Sequence, residues 1–425
     1  MKTDELYRYF LTCDGISTDT RNISENSIFF ALKGEHFNAN TFAEEALNKG
    51  AQYVVIDEKK YLTDEDKMFL VDDTLKALQD LAQFHRAHLG LPIIALTGSN
   101  GKTTTKELIH QVLSKKYQTK ATKGNLNNHI GVPLTLLSFD EDTDIGIVEM
   151  GANHQKEIAQ LSEIAMPDFG YITNFGRAHL EGFGGFEGVI KGKSELYNYL
   201  REHQKTAFIN LDDPLQIEKS ETILSYSFSA KSEQANVYFR ETEAQPMASV
   251  TIKNTKIDSN LTGLYNIPNI CAAVSIGIYF NIELEDIKKA IEEYMPQNNR
   301  SQWTVTQNNK ILLDAYNANP SSMKVAIENF AQLKESNKIM ILGDMFELGN
   351  ESSGEHKTIK ELAEKQHITT FFVGKEFYEL KDNHNHFFKD YASLSAYLSE
   401  HAIQKSTILI KGSRGMSLER ILPIL

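Results

Sequence analysis

Cysteine is scarce in this chain: its 425 residues include only two, Cys13 and Cys271. That is too few for a disulfide framework, and their separation has no metal-binding spacing. Long apolar runs are also missing, which excludes a bilayer-spanning segment and membrane insertion. The opening Met1-Lys2-Thr3-Asp4-Glu5 lacks the apolar stretch of a secretory signal, so a cytoplasmic location is expected. Internal repeats and low-complexity segments are absent. Positive charge is in deficit, with a formal net charge of -13, which argues against a generic nucleic-acid binder. A local basic pocket in such an acidic protein can still hold an anion. What remains, 41% hydrophobic and 24% charged residues, is the make-up of a globular protein too long for one core, and two to four domains are expected.

The most informative stretch is Ile94-Ala95-Leu96-Thr97-Gly98-Ser99-Asn100-Gly101-Lys102-Thr103-Thr104-Thr105. An apolar strand runs through a glycine-rich turn into a helix that opens with Lys-Thr, the arrangement of a phosphate cradle. Backbone N–H groups of Gly98 to Thr104 and the positive helix end can surround a polyphosphate, Lys102 can neutralise its outer oxygens, and the Thr103 hydroxyl can hold Mg2+. ATP is the ligand expected. The first glycine of the full G-x-x-x-x-G-K-[ST] pattern is replaced by Leu96, leaving the shorter G-x-x-G-K-T core. The alternative is a Gly/Asn turn that caps an ordinary helix, although Lys followed by three threonines is a poor helix opening.

Three segments follow from the periodicity. Residues 1–90 read as a small α/β unit, with strands at 28–32 and 53–57 and a helix over 41–50 closed by Gly50. Residues 91–297 begin at Leu91-Pro92 and carry the phosphate loop, a helix to about Lys116, and strands at 145–149 and 170–173. The alternation predicts a parallel sheet covered by helices. Residues 222–262 read as short antiparallel strands, followed by helices at 266–280 and 284–294. The polar run Pro296-Gln297-Asn298-Asn299 reads as a linker. From 298 to 425, strands at 311–314, 338–342, 369–373 and 406–411 alternate with helices, predicting a Rossmann-like sheet.

Candidate chemistry gathers just past strand ends, where open α/β sheets place their ligands. Glu149 closes its strand and is a candidate metal ligand beside the phosphate loop; a helix-start carboxylate is the alternative. His179, crowded by glycines in Thr173 to Gly185, is a candidate Mg2+ ligand or a structural histidine. Lys191 and Lys193 fall early in the next helix, where a solvated pair is the default.

Taken together, Thr97 to Thr103, Gly124-Asn125-Leu126-Asn127-Asn128-His129-Ile130-Gly131-Val132-Pro133, Glu149 to His154, Ala178 to Gly184, Asp314-Ala315-Tyr316-Asn317-Ala318-Asn319-Pro320 and Leu342 to Gly349 resemble the Mur ligase family in order and over nearly the whole chain. Within it they are most similar to the members that add D-alanyl-D-alanine to a UDP-N-acetylmuramoyl-tripeptide in peptidoglycan synthesis. The resemblance implies a UDP-substrate-binding domain (1–90), a central ATP-binding ligase domain (91–297) and a mobile C-terminal Rossmann-like domain (298–425), acting as a monomer. It also implies an ATP-dependent ligation through an acyl phosphate, because a carboxylate must acquire a good leaving group before an amine can displace it. A folylpolyglutamate-synthase-like ligase and a nucleotide-dependent switch are the alternatives; the segments Asn125 to Pro133 and Tyr316 to Pro320 favour the first reading.

Carried over by resemblance, Lys102 is the phosphate-binding lysine, Thr103 and Glu149 hold one Mg2+, and His179 holds the second. Lys193 matches a lysine carbamylated by CO2, a change that turns a cation into a metal-binding anion. Asn266 and Asn269 correspond to positions near the adenine, and Arg300 and Asp314 to nucleotide contacts at the hinge and in the C-terminal domain. Thr20, Arg21, Lys33 and Gly34 resemble UDP-binding elements, with a surface ion pair as the alternative for Arg21. Tyr316, Asn317, Asn319, Lys411 and Arg414 look like the amine-substrate side. Asn127 and Asn128 are substrate-positioning groups or simply an Asn-rich turn. Asn40 and Tyr265 stand where the family usually has histidine.

Overall fold

The structure, a computed structural model, describes residues 1–297, 299–383 and 386–425. Asn298, within the expected linker and at the expected start of the third segment, lies outside the described residues. Among those described, no helix is long and apolar enough to cross a membrane.

The first segment carries a four-stranded parallel sheet of Gly15–Ser17, Ser27–Phe30, Ala51–Ile56 and Met68–Leu70, in that order. Both faces are apolar. Phe29, Val54 and Ile56 meet Ala43 and Ala46 on one side, and Ile28, Phe30 and Val55 join Leu78 and Leu81 on the other. The long helix Thr74–Leu89 begins at Asp73, whose side chain accepts the Lys76 N–H, and stops at Gly90 in the left-handed region. The helix expected over 41–50 is Ala43–Asn48, preceded by a tighter 3-10 turn at Ala39–Phe42.

The central sheet has nine strands among the described residues, and their order places Ile93–Thr97 between Phe169–Ile172 and Ile145–Glu149. These strands are buried on both faces, as a helix-covered parallel sheet requires: Ile94, Leu96 and Ile147 pack into one core, and Ile93, Ala95 and Val148 into another. Register decides the site. Leu96 pairs with both Tyr171 and Glu149, so the phosphate loop, Glu149 and the Thr173 to His179 loop all leave the sheet at one edge.

One expectation is corrected in this region. Leu224–Ser229 runs parallel to Thr206–Asn210, and Val237–Glu243 runs parallel to Leu224–Ser229; only Ser249–Ile252 and Thr255–Asp258 continue antiparallel. The short helix Pro214–Lys219 supplies a crossover before Leu224. Residue alternation records which face of a strand is buried and carries no information on its direction.

In the last segment the four expected strands form the centre of a six-stranded sheet, as Lys310–Asp314, Thr407–Lys411, Lys338–Gly343 and Thr369–Val373. Two edge strands, Gln302–Val305 and His386–Phe388, were not expected, being short and only partly buried. The parallel register sets Asp314 beside Lys411 at the strand ends.

Candidate active site

One cavity of about 710 Å³ lies between the central and C-terminal sheets. Its wall includes Ser99, Asn100, Gly101, Lys102, Thr103 and Thr104. The helix Lys102–Leu113 opens after Gly101 (φ 81°) with no side-chain cap, so its first-turn N–H groups are left for a ligand. Two glycines are dictated by close approach as well as by backbone angle. A Cβ on Gly98 (φ 143°) would lie 2.0 Å from Thr173 Oγ1, and one on Gly101 would lie 2.7 Å from Asn269 Oδ1.

The loop is braced from behind. Asn174 Oδ1 accepts the Asn100 N–H at 3.2 Å, its Nδ2 donates to Asn100 O at 2.9 Å, and Thr173 Oγ1 donates to the same carbonyl at 2.6 Å. Asn269 accepts from Thr105 Oγ1 at 3.1 Å and donates to Asn266 Oδ1, while Asn266 donates to Thr262 O. These two asparagines line the cavity and buttress the loop. Lys102 Nζ folds onto Gly98 O at 2.7 Å. Desolvation holds this ammonium below its ordinary pKa, opposed by Glu149 and reinforced by Arg300.

Glu149 is 1% exposed. Its Oε1 accepts from Asn127 Nδ2 at 2.8 Å, its N–H donates to Thr122 Oγ1, and Lys106 Nζ stands 4.0 Å from Oε2. Oε2 is buried and has no hydrogen-bond partner. A carboxylate oxygen with no hydrogen bond and only the more distant Lys106 charge to offset it is costly to bury, and with the Thr103 hydroxyl in the same cavity wall it fits a hard dication. Asn127 therefore positions this carboxylate. Asn128 caps the following turn, its Oδ1 accepting the Ile130 and Gly131 N–H groups, so the Asn-rich-turn alternative holds for that oxygen.

Lys193 departs from the solvated default. Lys191 is exposed, but Lys193, two positions on in the helix Phe186–Glu202, is 1% exposed. Its Nζ donates to Ala152 O at 3.2 Å and lies 4.9 Å from the Phe183 ring centre. Burial pushes its pKa well below the ordinary lysine value, and the nearby Lys102 charge adds to this. The shift favours the neutral amine, which is the form that reacts with CO2.

His179 lines the cavity in the left-handed region (φ 53°), and its Nδ1 meets the Glu347 carboxylate of the C-terminal domain. That imidazole holds the Glu347 carboxyl below its ordinary pKa. More contacts join the same two domains. Asn319 Nδ2 donates to Asn100 Oδ1 at 2.8 Å, and Arg177 pairs with Glu351 and Glu355.

At the hinge, Arg300 stacks 3.5 Å from the Tyr316 ring centre and its buried Nε has no hydrogen-bond partner. Ser301 N–H donates to Asp314 Oδ1, and Tyr265 OH bonds Ser301 Oγ at 2.7 Å, so the tyrosine at the family's histidine position ties the central domain to the hinge. Lys411 Nζ, 2% exposed, donates to Asp314 Oδ2 at 2.6 Å and to Asn317 O at 3.2 Å. Asn317 Oδ1 accepts the Ala318 N–H, and Arg414 donates to Tyr316 OH at 2.9 Å. Of this group, Arg414 is the cation left facing solvent.

The N-terminal candidates lie apart. Among the described residues the cavity wall includes none of Thr20, Arg21, Lys33 and Gly34. Arg21 is 85% exposed and paired with Asp19, Thr20 O accepts from Lys49, Lys33 pairs with Asp57 at 3.1 Å, and Gly34 is exposed in a two-stranded ribbon. Asn40, at another family histidine position, donates to Asp57 Oδ1 at 2.9 Å. Sequence reasoning missed Asn174, Lys106, Arg177 and Glu347. Glu347 sits inside the quoted Leu342 to Gly349 motif, but only tertiary contact pairs it with His179.

The sequence patterns described as Mur ligase middle domain, Mur ligase glutamate ligase domain and Mur ligase family catalytic domain match residues 96–277, 299–414 and 12–86 respectively. A UDP-N-acetylmuramoyl-tripeptide--D-alanyl-D-alanine ligase of Bacillus subtilis (strain 168) is 37% identical over 422 residues, spanning 96% of this chain and 92% of the relative. A crystal structure of MurF from Acinetobacter baumannii superposes with a TM-score of 0.88 at 30% identity, covering 99% of this chain and 98% of that one. MurF ligase from Thermotoga maritima in complex with ADP superposes with a TM-score of 0.84 at 25% identity, covering 98% and 97%. With three domain patterns matched in sequence and the phosphate loop, buried carboxylate and hinge arginine gathered around one cavity, the chain belongs to the Mur ligase family.

Proposed function

We propose that this protein joins the amine of D-alanyl-D-alanine to the terminal carboxylate of a UDP-N-acetylmuramoyl-tripeptide, with ATP as the energy source. The observation that carries this reading is the cavity that has the phosphate loop on one wall and the Tyr316, Asn319 and Arg414 side of the C-terminal domain on the other. A phosphoryl donor and an amine acceptor can meet there.

In the first step a carboxylate oxygen of the tripeptide bonds to the ATP γ-phosphorus as the bond from that phosphorus to the bridging oxygen breaks, giving an acyl phosphate and ADP. The helix N-terminus and Lys102 stabilise charge on the transferring group, and the unpartnered Arg300 Nε is a further donor from the hinge. In the second step the dipeptide amine bonds to the activated carbonyl carbon, loses a proton, and phosphate leaves. Arg414 holds the dipeptide carboxylate, with Lys411 fixing the turn beside it through Asp314. Thr103 and Glu149 would hold one Mg2+, and His179 with carbamylated Lys193 the other; bound there, the ions neutralise phosphate oxygens. Asn266 and Asn269 contribute to the nucleotide side, and Asp314 to the ribose. Thr20, Arg21, Lys33 and Gly34 serve the UDP end, with Asn127 and Asn128 near the peptide.

On the same reading the domains divide at 1–90, 91–297 and 298–425. The enzyme acts as a monomer in the cytoplasm, where ATP and nucleotide-linked precursors are found. The test is ADP release and product mass with UDP-linked tripeptides carrying either diaminopimelate or lysine, each combined with D-Ala-D-Ala, L-Ala-L-Ala or single amino acids. Sustained turnover is expected only with D-Ala-D-Ala and Mg2+. Turnover with a folyl substrate and none with a UDP-tripeptide overturns the proposal.

A further inference from the structure

We propose that Glu347 is a positioning residue for His179. It acts from the C-terminal domain, so the imidazole is fixed for its ligand only while the two domains are in contact. This rests on the reading of His179 as a metal ligand.

A histidine ring on a cavity wall has no fixed orientation until one nitrogen is held, and metal-binding histidines commonly have the other nitrogen held by a carboxylate. His179 begins a four-residue helix, Leu180–Phe183, and makes no side-chain cap there. Its buried Nδ1 makes no formal hydrogen bond, and the carboxylate at ion-pair distance from it is Glu347 Oε2, so Glu347 is the group placed to hold Nδ1 and leave Nε2 for a ligand.

The backbone that carries Glu347 is held in place on several sides, while the side chain itself is half exposed. Glu347 adopts the left-handed region (φ 62°), which is uncommon for a residue with a side chain. Its carbonyl accepts the Glu181 N–H at 3.4 Å, two residues beyond His179. The preceding Phe346 N–H donates to Ser413 Oγ at 2.9 Å, and the Met345 N–H donates to the buried His356 Nε2 at 3.0 Å. The loop carrying His179 meets the same domain again through Arg177, whose N–H donates to Ser321 Oγ at 2.8 Å and whose guanidinium pairs with Glu351 and Glu355. The carboxylate is thus presented to the ring by a segment anchored in another domain, and domain contact and ring orientation become one event.

The test uses the full chain with a nonhydrolysable ATP analogue and Mn2+ as the probe, its binding read by electron paramagnetic resonance. The variants are His179→Ala, Glu347→Gly, Glu347→Gln and the His179→Ala/Glu347→Gly double. Glycine suits φ 62°, so Glu347→Gly carries no backbone penalty. In the class of Mn2+ sites lost in His179→Ala, Glu347→Gly should weaken affinity about tenfold or more with an unchanged melting temperature. Glu347→Gln, which keeps an acceptor oxygen, should weaken it less, and the double variant should be no weaker than His179→Ala alone. Wild-type Mn2+ affinity in Glu347→Gly, with affinity lost in His179→Ala, would reduce Glu347 to an interdomain contact and overturn the inference alone; so would additive losses in the double variant. Wild-type affinity in His179→Ala would remove the metal-ligand reading and the inference with it.

Discussion

The first 90 residues and the cavity between the other two domains treat their polar side chains in opposite ways. In the N-terminal domain the candidates are already satisfied, Arg21 by Asp19 and Lys33 by Asp57. Around the cavity, Glu149 Oε2, His179 Nδ1 and Arg300 Nε are buried without hydrogen bonds, and behind its Ala152 wall Lys193 is buried with only that residue's carbonyl to accept from it. A buried unsatisfied group costs about 1–3 kcal/mol, more when charged, so such atoms persist where a ligand offsets the loss. Neutral atoms such as Ser275 Oγ and Trp303 Nε1 are also buried without a hydrogen bond elsewhere, but the carboxylate, imidazole and guanidinium atoms so placed among the described residues all line the cavity, and it is this imbalance of charge that marks it as a site. The N-terminal surface has no such mark, and its role rests on likeness to relatives.

The contrast is tested most severely at Lys102. Lys102→Ala should leave the fold intact and cut turnover by about 10^3-fold or more, because one cation positioned on a transferring phosphoryl group is worth about 4 kcal/mol of transition-state stabilisation. A coupled assay for ADP release measures it, and near-wild-type kcat in a folded variant would remove the phosphate loop from the chemistry.

Next in size is Lys193. Lys193→Ala should lose on the order of 10^2-fold in activity, as expected for the loss of a metal-holding group. Acetate, which supplies the missing anion, should restore part of it, and short alkylamines should not. Rescue by amines alone would show that the buried group works as a cation.

Arg177→Ala removes two ion pairs between domains. The arginine is part-exposed, so each pair contributes no more than about 1 kcal/mol. The expected result is a several-fold rise in KM for the dipeptide with kcat retained. Small-angle scattering should still show compaction when nucleotide analogue and UDP-tripeptide bind together, but with a larger radius of gyration than the wild type. Identical scattering in both proteins would show that the latch does not hold the closed form.

The smallest effect is expected at Arg21. Its side chain is exposed and its partner Asp19 lies two residues away, so Arg21→Ala should leave thermal stability unchanged and raise KM for the UDP-tripeptide several-fold. An unchanged KM would leave Arg21 as the surface ion pair it forms with Asp19, and would sharpen the contrast between the two regions.

Much of this was legible in the linear chain. The strands 145–149 and 369–373 were placed to the residue, because apolar β-rich runs buried on both faces leave a continuous signal. The edge strands Gln302–Val305 and His386–Phe388 were missed, since a short half-exposed strand carries little apolar pattern. The direction of Leu224–Ser229 was misread, because direction comes from the crossover and not from the strand itself.

By itself the sequence determined the phosphate loop, its glycines and Lys102, since these depend on neighbours along the chain and on backbone angles that glycine alone adopts easily. It also determined that Glu149 ends a strand. Only the tertiary structure decided that Lys193 is buried while Lys191 is exposed, that Asp314 occupies Lys411, and that Glu347 reaches His179 from another domain. Those facts depend on strand register and domain contact between residues distant along the chain, and a local pattern of residue types contains neither.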